Sequence, residues 1–186
     1  MPINVEQIGE PAAEVSGGFS HTEIRIGFLE NFASLDQPKD IEGDTPATTL
    51  TELVTIVGDH TFNAGVGFTK VKALLESVLL ETTQMGPKFA HIQENKLTFQ
   101  MLGSKDEILG FKRLIKNKDL IVLAPEFASG NVRQIGSAKF AGSVLESSGK
   151  IDGVIEGENT ATFVIQDKQL YDAPIYKGAI TDQPAP

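Results

Sequence analysis

The chain has 186 residues, of which 40% are hydrophobic and 22% charged, the composition of an ordinary globular domain. Its length suits a single domain over residues 1–186, and the absence of cysteine excludes disulfide bonds and thiolate metal sites. No apolar run approaches the roughly 20 residues that a membrane helix needs, and the first residues lack the features of a signal peptide. We therefore expect a soluble protein that suits a reducing cytosol and has no membrane partner.

The net charge of −9 lies in the first third of the chain. Residues 1–60 contain eleven acidic and two basic residues. Of the totals of 25 acidic and 16 basic residues, fourteen of each remain for the other 126 positions. This asymmetry indicates an acidic region on an otherwise neutral body.

The N-terminal half begins with a segment, residues 1–20, that is rich in Gly, Ala and Glu and is expected to be loosely held. Glu23–Phe28 alternates polar and apolar residues, which predicts the first strand. Residues 29–49 hold two prolines and scattered acids without a sustained period, which predicts an extended loop. Because long loops in compact domains are usually functional or ordered by a partner, we interpret it as an assembly loop. Its proposed contact groups are acidic: Asp36, Asp40, Glu42 and Asp44.

The next segments predict strands with one ambiguity. Thr51–Val57 has a strand pattern that ends at Gly58. Residues 68–82 fit two structures. Their apolar residues fill a complete helical template, whereas a strand would have to be buried on both faces.

Residues 96–142 have the clearest boundaries. Lys96–Met101 alternates as a half-buried strand does. Ser104 and Glu107 have the spacing of a capping box, and a core-facing stripe follows with Ile108, Phe111 and Ile115. These features predict one helix over about 104–118.

The chain after this helix predicts strands and turns. Leu120–Leu123 is uniformly apolar, as in a buried strand, and Ser129–Asn131 is a turn before a returning strand at 132–140. Glycines at 149, 153 and 157 indicate a hairpin or flexible stretch, and 160–166 and 170–176 read as closing strands. Residues 181–186 are expected to be mobile.

The segment Gly103–Val144, together with Ala173–Gly178, resembles the tail tube (major tail) protein family of tailed bacteriophages. The likeness covers roughly residues 65–180 and lies in the order and character of the elements. One strand leads into one helix that ends near an Asn, and a strand like Leu120–Leu123, a glycine turn and an Ile-Gly-Ser strand follow. For residues 68–82 the resemblance favours a long strand that runs into a hairpin arm around Gly86–Pro87.

The resemblance implies a fold and a function. The fold would be mainly β (α+β), an antiparallel β-sandwich or half-barrel with one flanking helix. The function would be a non-enzymatic subunit of hexameric rings, which stack into a DNA-conducting tube in the virion tail after assembly in the host cytoplasm. Its partners would be other copies and the tape measure, tail terminator and baseplate proteins, with DNA only in transit. We also expect the acidic excess to line the inner wall, where it would repel phosphates.

Other functions stay open on the sequence. A capsid decoration protein or a head–tail connector would share the β-rich character. A ligand-binding β-barrel, or an enzyme of unrecognised type, would need a pocket with perturbed ionisable groups.

Residue types that carry chemistry are not grouped in a recognisable way. His21, His60 and His91 stand alone, without a second ligand at zinc-site spacing. Ser148–Lys150 lacks the earlier glycine of a phosphate-binding loop. A calcium loop built on Asp152, Glu156 and Glu158 would have Gly153 at a ligand position. We therefore predict no catalytic, cofactor-binding or metal-binding residues.

The predicted helix carries the one concentrated basic patch. The simplest interpretation is the solvated face of an amphipathic helix, and no aromatic residues accompany it as in nucleic-acid-binding surfaces. Another interpretation is contact with the acidic region of a neighbouring copy, since opposite patches on one chain suit ring-forming contacts. The proposed basic contact face comprises Lys112, Arg113, Lys116 and Lys118.

Overall fold

A computed structural model describes Gly18, residues 22–126 and residues 129–183. That part contains twelve strands and one α-helix, α1 (Asp106–Ile115). The strands are β1 (Glu23–Phe28), β2 (Phe32–Ser34), β3 (Thr55–Ile56), β4 (Thr61–Phe62), β5 (Thr69–Lys72), β6 (Leu79–Met85), β7 (Ile92–Leu102), β8 (Leu120–Pro125), β9 (Val132–Ile135), β10 (Ser143–Ile151), β11 (Asn159–Gln169) and β12 (Ile175–Tyr176). Residues 1–17, 19–21 and 184–186 lie outside the described residues, so the expectations of loose termini are untested there.

Two sheets form a sandwich. The larger has the strand order β3-β12-β9-β8-β1-β5 and the smaller β10-β11-β7-β6, while β2 and β4 make a separate ribbon. The strand pairs are antiparallel, apart from β3 with β12, which is parallel. The sheets of the described residues do not close into a barrel. The prediction of a mainly β fold with one helix is therefore confirmed, in a sandwich-like form.

The central strand β8 shows why its sequence is uniformly apolar. Leu120, Val122 and Ala124 belong to the core between the two sheets, while Ile121 and Leu123 belong to a second core on the opposite face of the larger sheet. All five side chains are fully buried. A strand that is buried on both faces does not need to alternate polar and apolar residues, so the prediction of a buried strand is confirmed.

Helix α1 crosses from the end of β7 to the start of β8 and so joins the two sheets. Ile108 and Ile115 are buried in the core between the sheets, and the Phe111 ring lies 6.0 Å from the Phe163 ring of β11. The predicted apolar stripe is thus confirmed. The helix is shorter than the predicted 104–118, because Lys116 ends it.

The predicted capping box does not form. Lys105, rather than Ser104, is the residue before the first turn, and no side chain caps the helix. The Ser104 hydroxyl instead accepts a hydrogen bond from Asn159 Nδ2 at 3.2 Å. The start of α1 is therefore tied to the beginning of β11.

Residues 68–82 are neither a helix nor one long strand. β5 belongs to the larger sheet and β6 to the smaller one, with a crossing segment at 73–78 between them. In this segment the Ser77 hydroxyl donates to the Leu74 carbonyl at 2.7 Å and accepts from the Gln100 N–H at 3.2 Å. The hairpin around Gly86–Pro87, between β6 and β7, is as predicted.

Other predicted elements are confirmed with different bounds. The strand at 96–101 is the centre of the longer β7, and the strand at 160–166 is the centre of β11, which forms the predicted hairpin with β10. The strand predicted at 51–57 is a 3-10 turn followed by the short β3. The strands predicted at 132–140 and 170–176 are reduced to β9 and β12.

Residues 181–183, predicted to be mobile, are held in the fold. Asp182 forms a bridge with Phe68 and accepts a hydrogen bond from Arg25 Nε at 2.8 Å. Its carboxylate also lies 3.0 Å from Lys70 Nζ. These cations hold the pKa of Asp182 below its usual range although burial opposes the shift.

Candidate functional site

The predicted assembly loop is anchored to the fold at its start. Leu29–Asn31 forms a 3-10 turn and β2 follows, so the irregular part begins near residue 35. Asp36 is the anchor: its carboxylate accepts the Gly58 N–H at 2.8 Å, and its own N–H donates to His60 Nδ1 at 3.3 Å. One of the four predicted contact acids is thus engaged within its own chain.

His60 is a structural histidine buried behind the loop. Because Nδ1 accepts from Asp36, the ring proton must be on Nε2, which donates to Gln134 Oε1 at 2.7 Å. The ring stacks on Tyr176 with 4.4 Å between centroids. Burial lowers the pKa of His60, against the hydrogen bond to Gln134. A neutral imidazole therefore connects the loop to the larger sheet.

A second contact closes the loop at its far end. Lys39 Nζ lies 2.6 Å from Glu52 Oε1, and the other Glu52 oxygen accepts from the Thr48 N–H and hydroxyl. The hydrogen bond from Lys39 and those from Thr48 lower the pKa of Glu52 to about 2. Between these two ends, Asp40, Glu42 and Asp44 are exposed.

A groove of about 670 Å³ lies beside the loop. Its acidic lining includes Asp36, Asp40 and Asp44, with the ammonium groups of Lys39 and Lys177 on the same walls. Glu42 is not among the lining residues. The structure therefore brings three of the four predicted acids together.

The predicted basic contact face lies on and just after α1. Arg113 and Lys116 are exposed and Lys112 is half-buried. Lys118 Nζ donates to Glu30 Oε1 at 2.8 Å, so the acidic first third of the same chain engages one member of the face. Among the described residues, no ion pair joins this face to Asp36, Asp40, Glu42 or Asp44.

The smaller sheet has two long open edges. β6 has seven residues and pairs only with β7, and β10 has nine residues and pairs only with β11, within the residues that the structure describes. Edge strands present unpaired N–H and C=O groups to which another strand can bind. The sequence does not reveal these edges, since the pairing partners of a strand are not visible in its pattern.

The outer face of the smaller sheet carries charged and polar side chains beside the exposed Leu79, Met85 and Leu102. One face of β7 and β11 is buried at Leu97, Phe99 and Phe163, so the alternate positions face away from the core. Three lysines and three glutamates occur at those outward positions: Lys96, Lys150, Lys168, Glu81, Glu94 and Glu146. The ionised groups on this face therefore balance.

A polar cluster lies inside the sandwich at one end of β7 and β11. The Asp167 carboxylate accepts from the Gly136 N–H, from Gln169 Nε2 and from Asn95 Nδ2, the last at 2.8 Å. Asn95 Oδ1 in turn accepts the Ala173 N–H at 3.0 Å. Burial raises the pKa of Asp167, against the hydrogen bonds that lower it.

The residues weighed for chemistry have structural roles where they are described. Lys150 Nζ lies 3.2 Å from Asp152 and 3.1 Å from Glu158, so an ammonium group fills the position of the calcium considered there. Ser148–Lys150 is part of β10 rather than a phosphate-binding loop. His91 is exposed at the β6–β7 hairpin, and His21 lies outside the described residues.

Two further features are absent from the described residues. No group of three or more His, Cys, Asp or Glu side chains is placed to hold a metal ion there. No described helix is both long and apolar enough to cross a bilayer.

The comparisons with known proteins identify no relative. No protein-family model matches the chain, and searches of curated proteins and of solved structures find no match.

Proposed function

We propose that the protein is a tail tube subunit of a tailed bacteriophage, a non-enzymatic protein that assembles with copies of itself into rings. The observation that carries the proposal is the pair of open edges on the smaller sheet. An open β10 of one copy and an open β6 of the next are two different surfaces, as a heterologous ring contact requires. Closure of the ring would leave no edge of the smaller sheet exposed.

The outer face of the smaller sheet would then line the channel. Its three lysines and three glutamates balance, and Glu94 lies 3.6 Å from both Lys96 and Lys168. We therefore propose a neutral, hydrogen-bonding wall in place of the acidic wall expected from the net charge. Such a wall lacks the excess of cations with which proteins hold the phosphate backbone, so DNA would pass without being bound.

The remaining proposed contacts are electrostatic. The exposed acids Asp40, Glu42 and Asp44 would meet the basic contact face of a neighbouring copy, in particular Arg113 and Lys116. Tape measure, terminator and baseplate proteins would be the partners at the ends of the tube, and the virion tail its location.

Negative-stain electron microscopy of the purified protein, at low and high concentration, tests the proposal. We expect rings of uniform diameter that stack into hollow tubes as the concentration rises. Single protomers at every concentration would contradict self-assembly and would favour a capsid decoration or connector protein, which binds a shell that already exists.

A further inference from the structure

Two hairpin tips project from opposite ends of the smaller sheet. The β6–β7 tip comprises residues 86–91, and the β10–β11 tip comprises residues 152–158. β7 pairs with β11 so that Gln93 is opposite Gln169 and Leu102 is opposite Thr160. Eleven-residue strands at about 3.3 Å per residue separate the tips by roughly 35 Å. The two tips of one chain therefore do not meet.

The β6–β7 tip presents an aromatic ring to solvent. Phe89 is 92% exposed and has a φ of +70°, a conformation that a bulky residue rarely adopts. The Ala90 N–H donates to the Pro87 carbonyl at 2.9 Å, which closes the turn. Lys88 Nζ lies 5.0 Å from the centre of the Phe89 ring. The tip is thus an ordered turn that displays one apolar and one cationic group.

The β10–β11 tip presents two aliphatic side chains in the same way. Val154 is 69% exposed and Ile155 is fully exposed, at 107% of its reference area. Asp152 and Glu158 close the hairpin below them: the Asp152 N–H donates to the Glu158 carbonyl, and the Glu158 N–H to Asp152 Oδ2, each at 2.9 Å. This closed turn therefore displays two adjacent aliphatic side chains to solvent.

The two tips have opposite charge. Residues 86–91 contain Lys88 and no acidic residue, whereas residues 152–158 contain three acidic residues and no basic one. Lys150, just before the second tip, offsets one of those acids. Each tip therefore combines exposed apolar surface with the charge that the other lacks.

We propose that the β6–β7 tip of one copy docks on the β10–β11 tip of another copy, head to tail. This inference rests on the proposed function and deepens it, because it assigns the contact between successive rings. The open edges lie along the sides of the smaller sheet and the tips at its ends, so the two contacts run in different directions. Phe89 would pack on Val154 and Ile155, with Lys88 facing Glu156.

Cysteine crosslinking tests the contact directly, since the natural chain contains no cysteine. Ala90→Cys and Gly153→Cys place one thiol in each tip and keep the apolar and charged residues. Ala90 is exposed, and a side chain added at Gly153 meets no atom within 4 Å. The two proteins, one of them carrying a size tag, are mixed and oxidised. We expect the mixed disulfide to exceed either homodimer by roughly tenfold, because docking raises the local thiol concentration.

A matched pair of substitutions controls for surface polarity. Ile155→Ser in the Gly153→Cys protein should reduce the mixed disulfide to the level of random collision. Leu75→Ser, at a leucine 60% exposed in the crossing segment between β5 and β6, should leave it unchanged. A mixed disulfide no more abundant than the homodimers, or one insensitive to Ile155→Ser, would overturn the contact.

The outcomes separate this inference from the proposed function. Tubes from the natural protein without an enriched mixed disulfide would reject the tip contact and leave the tail tube proposal in place. An enriched mixed disulfide without rings at any concentration would support the tip contact and reject the tail tube proposal.

Discussion

His60 determines how the irregular loop is attached to the sheet. One ring nitrogen accepts from the Asp36 backbone and the other donates to Gln134, so the ring serves as an acceptor on one side and a donor on the other. Only the neutral form can do both, because protonated imidazole has two donors and no acceptor. Protonation of His60 in acid therefore removes the acceptor for the Asp36 N–H and weakens the attachment of the loop to the sheet.

The stability of the protein should fall as the pH drops below the pKa of an unperturbed histidine, about 6.5. The folded chain has the lower His60 pKa, so between that value and about 6.5 the unfolded chain binds more protons. The contribution is complete above pH 6.5 and is lost below it, by at most about 1.4 kcal/mol per pH unit. Urea unfolding of the natural protein and of His60→Gln, between pH 8 and pH 5, measures this difference.

The exposed histidine supplies the control for this experiment. His91→Gln should keep the pH dependence of the natural protein, whereas His60→Gln should lose it. The same slope in all three proteins would show that groups other than His60 determine the acid response.

Replacement of Asp167 should destabilise the fold. Asp167→Ala removes the acceptor of the buried Gly136 N–H and Gln169 amide, and one of the two acceptors of the Asn95 amide. We expect a loss of about 3 kcal/mol in the free energy of unfolding, from the cost of buried donors without partners. Chemical denaturation measures it, and Asp172→Ala, at an exposed carboxylate, should change the value by no more than about 0.5 kcal/mol. An equal effect of both substitutions would contradict the role assigned to the cluster.

At the scale of the elements, the sequence predicts a helix or strand when the order of its own apolar residues shows which of its faces are buried. The stripe of α1 is visible because one face packs and the other does not, and β8 because both of its faces are covered. The helix start was less predictable. A capping box depends on which residue begins the first turn, and here Asn159 from a distant strand binds Ser104.

The crossing segment at 73–78 shows what periodicity cannot detect. Val71 lies in β5 of the larger sheet and Val78 in the crossing segment just before β6. Both are buried in the same core, so their helical spacing does not come from a helix. The irregular structure of the loop was predictable from its lack of pattern. Its anchor was not, because His60 and Gln134 are far apart in the sequence and meet only in the folded chain. Open edges likewise follow from the topology and not from any one strand.

Proline in the edge strand β6 should separate assembly from folding. Thr83 and Gln84 are neighbours, so the N–H of one points to β7 and that of the other to the open edge. Proline at the edge-facing position should leave the melting temperature nearly unchanged and abolish rings, whereas proline at the other position should destabilise the protomer. Melting curves identify the edge-facing position. Electron microscopy of that variant then tests assembly, and normal rings would contradict assembly through β6.

At the scale of the whole molecule, neutralising the exposed loop acids should weaken assembly without harm to the protomer. Asp40→Asn, Glu42→Gln and Asp44→Asn together leave both loop anchors in place. We expect the concentration needed for tubes to rise roughly tenfold and to depend less on salt, since a screened attraction has been removed. Light scattering at two salt concentrations measures both effects.

The control for this prediction removes the same charge elsewhere. Glu107→Gln, Asp119→Asn and Asp172→Asn also replace three exposed acids. An equal effect from this control would mean that net charge, rather than the loop, governs assembly.

The parallel pairing of β3 with β12 has a consequence for the timing of synthesis. Ile175 pairs with Thr55 on one side and with Arg133 on the other. β3 and β9 can therefore be joined only after β12, which the ribosome synthesises later than both. The larger sheet stays divided until residue 176 has emerged. A nascent chain is therefore slow to reach its native form, as expected where distant segments must meet. Translation order thus prevents the larger sheet from being completed before β12 has been synthesised.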